Sequence, residues 1–113
     1  MENSEYKNDS IMTVNFNREF IDCFGNGIPG KNPEKVSNMA EELCLTLFNL
    51  STLGGGIVSP DKKYMAYLLS LRISECPDAV ELTTEEASFL KEVSAEAYSA
   101  GAYGRVADLI EGK

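Results

Sequence analysis

Histidine and tryptophan do not occur in these 113 residues, and cysteine occurs three times. Without histidine the chain lacks the commonest general base, the commonest metal ligand and the one side chain that titrates near neutrality unperturbed. A Ser-His-Asp or Cys-His arrangement is therefore excluded. A zinc site would need four thiolates, and only Cys23, Cys44 and Cys76 are present, with no C-x-x-C pair among them. An odd, widely spread set of cysteines does not make a secreted disulfide framework and fits a reducing compartment. No apolar run approaches the ~18 residues of a membrane span, and the polar start Met1-Glu-Asn-Ser-Glu lacks the pattern of a signal peptide. Basic residues are also scarce. Ten Lys plus Arg against eighteen Asp plus Glu leave a net charge of −8, so the positive field that holds a nucleic-acid backbone is missing. These absences give the expectation of a non-enzymatic cytoplasmic protein with no cofactor, no metal, no membrane association and no direct nucleic-acid ligand.

What is present describes one small domain, with 43% hydrophobic and 25% charged residues in a chain too short for two cores. Residues 1–12 are polar and read as a flexible leader; residues 13–113 read as the domain. From Thr13 to Phe20 the apolar side chains Val14, Phe16 and Phe20 occupy even positions among polar neighbours, the alternation of a half-buried strand. Asp22 and Gly25-Asn26-Gly27 then turn the chain toward Ile28 and Pro29, predicting an N-terminal β-hairpin over 13–29.

Four helices follow in the sequence. Asn32-Pro33-Glu34 supplies a cap, a first-turn proline and a first-turn acid, predicting a helix over about 33–50 with Val36, Ala40, Leu43, Leu47 and Leu50 as its buried stripe. Gly54-Gly55-Gly56 ends it as a flexible connector. Ser59-Pro60-Asp61 opens a second helix over about 60–75, its apolar residues Tyr64, Leu68, Leu71, Met65 and Leu69 expected inside. Thr83 and Glu86 form an S/T-x-x-E capping box after the staple residue Leu82, opening a third helix over about 84–99. A last helix covers about 102–111. The fold class expected is α+β, mainly α: an N-terminal hairpin followed by a compact bundle of about four helices. So small a core also favours a homo-oligomer.

Three features are candidates for binding. Between Glu75 and Tyr98 seven acids face the single cation Lys91, so Glu81, Glu85, Glu86, Glu92 and Glu96 are a candidate docking face for a basic partner. A solvated helix face is the plainer account of them. Tyr98, Tyr103 and Arg105 are of the types enriched at interface hot spots, although core packing is the commoner use of such tyrosines. Gly54, Gly55 and Gly56 with Lys62 and Lys63 resemble a loop offering N–H groups to a phosphate, but the spacing is not that of a P-loop.

From Thr13 onward the chain resembles a family of small proteins of tailed bacteriophages and prophages. The resemblance is carried by the opening strand and the Asp22-to-Gly25 turn, Lys63-Tyr-Met-Ala-Tyr-Leu-Leu69, Val80-Glu-Leu-Thr-Thr-Glu-Glu86, Ala97-Tyr98 and Gly104-Arg-Val-Ala-Asp-Leu-Ile-Glu-Gly112. It departs from the family pattern in its polar leader, its three glycines and Ser99-Ala100-Gly101-Ala102. It implies a phage origin, a location in the bacterial host cell and a host or phage protein as partner, and it brings no functional residues. The leading expectation is a binding protein that occludes or regulates a host protein, such as an inhibitor of a defence system in the manner of an anti-CRISPR. The alternatives are a virion component or assembly chaperone, which requires exposed apolar helix faces, and a cyclic-nucleotide sponge, which requires a small nucleotide ligand.

Overall fold

The structure, a computed structural model, describes residues 11–113. The expected leader lies outside the described residues except at its end, where Met12 already belongs to a strand. The architecture is α+β and mainly α, with four helices and 50% of the described residues helical. Strand β1 (Met12–Val14) is followed by α1 (Met39–Phe48), the short strands β2 (Thr52–Leu53) and β3 (Gly56–Ile57), α2 (Pro60–Glu75), β4 (Val80–Leu82), α3 (Thr84–Ala97) and α4 (Ala100–Ile110).

The alternation read at the N-terminus holds as a burial pattern, since Val14, Phe16 and Phe20 are all buried. The inner part of the expected hairpin forms, with the Ile28 N–H donating to the Phe20 carbonyl at 2.9 Å and the Asp22 N–H to the Asn26 carbonyl at 2.7 Å, while its outer part pairs elsewhere. Residues Met12, Thr13 and Val14 pair antiparallel with Leu82, Glu81 and Val80, and the Phe16 N–H donates to the Pro77 carbonyl at 2.8 Å. Val80 and Leu82 put two more apolar side chains into the core on alternate residues. The turn itself forms where expected: Asp22 Oδ1 accepts from the N–H groups of Phe24 and Asn26, both at 2.9 Å, and Gly25 takes φ +85°.

The first helix starts six residues later than expected. Asn32 accepts from the Glu34 N–H through its side chain and from the Lys35 N–H through its carbonyl, so the cap-like Asn-Pro-Glu closes a turn instead. The same Asn chemistry serves an Asx-turn and a helix cap. Val36 and Asn38 are held extended by bridges to Pro29 and Glu19, and the helix is released only at Asn38, whose side chain accepts from the Glu41 N–H at 3.1 Å. The glycine run is not a loose connector either. It makes a two-residue hairpin joining β2 to β3, with Gly54 at φ +64° and Gly55 at φ +81°, the left-handed pair that a type I′ turn demands.

The capping box opening α3 is fully formed. Phe89, Leu90 and Val93 drive into a core that also holds Phe16, Leu43, Leu47, Leu69, Ile73, Leu82, Val106 and Ile110. Helix α1 packs mainly on α2, and α3 on α4 and, more lightly, on α1.

Candidate functional site

The residues singled out in the sequence do not form one site. Glu86 is a structural group: its Oε1 accepts from the Thr83 N–H at 2.9 Å and from Arg72 Nη1 at 2.7 Å. Burial acts to raise its carboxyl, but the bonds from Arg72 and Thr83 prevail and hold it below the ordinary glutamate range. Arg72 also donates to the Glu81 carbonyl at 2.9 Å, tying α2 to β4 and α3. Glu96 Oε1 accepts the Gly54 N–H at 2.7 Å. A protein carboxylate thus takes a backbone donor that the phosphate reading assigned to a ligand. Lys62 extends over the Phe89 ring, 5.6 Å from its centroid, and Lys63 is exposed. The five residues of the anion-binding expectation are accounted for by a turn, an aromatic contact and a solvated lysine.

Two of the C-terminal trio, Tyr98 and Arg105, are likewise taken up internally. Tyr98 shares a 2.8 Å hydrogen bond with Thr46 and meets Phe20 edge-on. Burial, joined by the charge of Glu42, pushes its hydroxyl up to about 12 against the opposing effect of the Thr46 bond. Arg105 donates through Nε to the Ile21 carbonyl at 3.2 Å and through Nη2 to the Asp22 carbonyl at 2.8 Å, so it braces the N-terminal turn from α4. Tyr103 is half-buried. Of the acidic candidates, Glu81, Glu85 and Glu92 keep exposed side chains without an ion-pair partner among the described residues. Glu85 and Glu92 line a shallow cleft with Lys62, Met65, Ser88 and Phe89.

The feature the sequence reading missed lies on α1 and α2. Helix α2 turns Ala66, Leu69, Ser70 and Ile73 inward, and this leaves the expected buried residues Tyr64, Leu68 and Leu71 outside at 62%, 40% and 39% exposure. Tyr67 joins them at 42%, and Leu45 and Phe48 of α1 are exposed at 55% and 61%. The six form one surface. The ring centroid of Tyr67 lies 5.9 Å from that of Tyr64 and 6.1 Å from that of Phe48, and Leu45, Leu68 and Leu71 sit one turn along from these rings. A groove beside Leu45, lined by Cys44, Ala40, Ile73 and Pro77 among others, continues the face. The Cys44 thiol donates to the Ser70 carbonyl at 3.4 Å, and burial together with the charge of Glu41 pushes the thiol up, which makes it an inert packing group.

Taking about 150–250 Å² for a whole aromatic side chain and somewhat less for leucine, the exposed fractions amount to roughly 500–600 Å² of apolar surface. That is at the upper end of the ~300–600 Å² of the largest patch on an ordinary monomer, where such patches are commonly functional. A signal for it was present in the sequence: α2 carries apolar residues at 64, 67, 68 and 71 and again at 66, 69 and 73, two stripes where a helix on one core needs only one. Among the described residues no three His, Cys, Asp or Glu side chains converge as a metal site would, and no helix is long and apolar enough to cross a membrane. No family model, curated protein or solved structure matches this chain.

Proposed function

We propose that this chain is a non-catalytic binding protein that acts by stoichiometric contact with other proteins, of the kind tailed phages use as virion components or assembly chaperones. The observation that carries this reading is the exposed aromatic and aliphatic face of Leu45, Phe48, Tyr64, Tyr67, Leu68 and Leu71. Aromatic side chains are enriched where proteins bind one another, and a contiguous apolar face on two well-packed helices presents them at little entropic cost. A nucleotide sponge is disfavoured, because Gly54 and Lys62 already have partners within the chain. Occlusion of a host protein, including a defence effector, is the second reading, and the exposed Glu81, Glu85 and Glu92 favour it by offering charge to a basic partner.

Tagged protein recovered from infected and uninfected bacterial lysates tests the two together. We expect phage structural proteins to be retained by the wild type and lost by Leu68→Glu, while Glu85→Lys with Glu92→Lys retains them. Retention of one host protein that the double lysine variant loses and Leu68→Glu keeps would overturn the assembly reading in favour of the second.

A further inference from the structure

We infer that the α1–α2 face binds a second copy of this chain, the two copies related by a two-fold axis that runs across the outer face of α2, perpendicular to the helix, at the level of Tyr67 and Leu68. The inference rests on the reading of this face as the working surface and names its occupant. Three observations converge on it.

The first is area. Roughly 500–600 Å² of exposed apolar surface on each copy gives a symmetric pair about 1,000–1,200 Å² when the six side chains of both copies are covered, which reaches the lower edge of the ~1,200–2,000 Å² range of stable interfaces. The second is spacing. Tyr64, Tyr67, Leu68 and Leu71 are separated by three, one and three residues, an order that reads the same in both directions. A two-fold axis at its centre sets α2 antiparallel to its copy, with Tyr64 opposite Leu71 of the second copy and Tyr67 opposite Leu68. An isologous interface needs just this self-complementarity. Leu45 and Phe48 widen the contact, so that the α1–α2 layer of one copy stacks on that of the other as four helices in two layers.

The third is charge. The six residues of the face carry none, although the chain has a net charge of −8. The ends of α2 are of mixed sign, Asp61, Lys62 and Lys63 at the start and Arg72 and Glu75 at the end, so antiparallel pairing is carried by the uncharged face and the opposed helix dipoles and not by complementary end charges. Two copies of charge −8 repel at long range, and added salt screens this within about 8 Å at 0.15 M. Self-pairing through an apolar face therefore tightens as salt is raised from low values, whereas docking of the acidic α3 side on a basic partner loosens.

Sedimentation velocity of the full chain from micromolar to near-millimolar concentration, at 10 and 150 mM salt, tests the inference. The wild type should pass from 12.4 kDa to twice that mass, with a dissociation constant lower at 150 mM. Leu68→Glu, which buries an unpaired carboxylate at the axis, should raise the dissociation constant at least tenfold, with unchanged helical circular dichroism as proof of folding. Asp108→Lys, on α4, which packs on α3, should leave dimerisation in place. With Cys23 and Cys76 replaced by serine, Leu68→Cys should form a disulfide-linked dimer on mild oxidation, and Asp108→Cys should not. A wild type that stays monomeric at both salts overturns the inference, as does a dimer that survives Leu68→Glu. Neither result touches the broader proposal, which fails only if Leu68→Glu leaves the proteins retained from lysate unchanged.

Discussion

Replacing Glu86 separates a structural carboxylate from a docking one. The side chain closes the Thr83 capping box and receives Arg72 at 2.7 Å, so Glu86→Ala removes the bond to the Thr83 N–H and a charge-assisted bond together, while Thr83 Oγ1 still accepts from the N–H at position 86. The lost bond to the Thr83 N–H costs about 1 kcal/mol. The Arg72 bond adds about 1 kcal/mol, discounted from the value for a buried charged bond because the Arg72 side chain is 39% exposed. Arg72 keeps the Glu81 carbonyl and is not stranded. The total of about 2 kcal/mol lowers Tm by about 8 °C, at about 4 °C per kcal/mol for a domain of this size. Glu85→Ala, one residue away and exposed, should change Tm by no more than about 2 °C.

The loss in Glu86→Ala should also depend on pH. A glutamate held below its ordinary range stabilises the fold fully above that range, and the contribution disappears as pH falls through the lowered folded value. The gap between wild type and Glu86→Ala should thus be widest near neutrality and shrink below pH ~4. Thermal melts by circular dichroism at stepped pH read both effects. A Tm loss no larger than that of Glu85→Ala, or a gap that does not close in acid, would refute the assignment of Glu86 to the α2–α3 junction.

Alanine at Gly54 or Gly55 should cost about 1–2 kcal/mol each, because both sit at positive φ, while Gly56→Ala, with open space around its Cβ position, should be neutral or slightly stabilising; chemical denaturation distinguishes the three. Isothermal titration of the wild type with inorganic phosphate should show no heat attributable to the glycine turn, and phosphate binding abolished by Gly55→Ala would restore the anion-site reading. In spectrophotometric titration, Tyr98→Phe should remove a phenolic component ionising at about 12, and the stability that the neutral Tyr98 lends should be intact below pH 10 and lost as pH rises through 12. A wild type in which Tyr98 ionises at the ordinary value would mean that the burial of its hydroxyl at the α3–α4 junction is absent in solution.

Elements governed by contacts three or four residues apart were legible without the structure. The Thr83–Glu86 box starts α3 where the sequence places it, Ser59-Pro60 starts α2, and Asp22 with Gly25 makes the first turn. Ambiguity arose where one local chemistry serves two structures. Asn32 completes an Asx-turn and Asn38 caps α1 with the same side-chain oxygen, and three glycines spell both a loose connector and a tight hairpin. Tyr98 and Arg105 have the residue types of a hot spot, but their partners, Thr46 and the carbonyls of Ile21 and Asp22, lie 52 to 84 residues away.

By itself the sequence determined that no histidine is present for chemistry to use, the mainly helical α+β character and the capped starts of two helices, because composition and hydrogen bonds to near neighbours need no distant part of the chain. Tertiary structure alone decided that β1 pairs with β4, since strand partners are chosen by which apolar faces meet in space. It also decided which of the two apolar stripes of α2 is spent on the core and which is left outside. A helix with two such faces can bury only one against a single small core, and packing on α1 selected Ala66, Leu69 and Ile73, leaving Tyr64, Tyr67, Leu68 and Leu71 as the surface on which the proposed function rests.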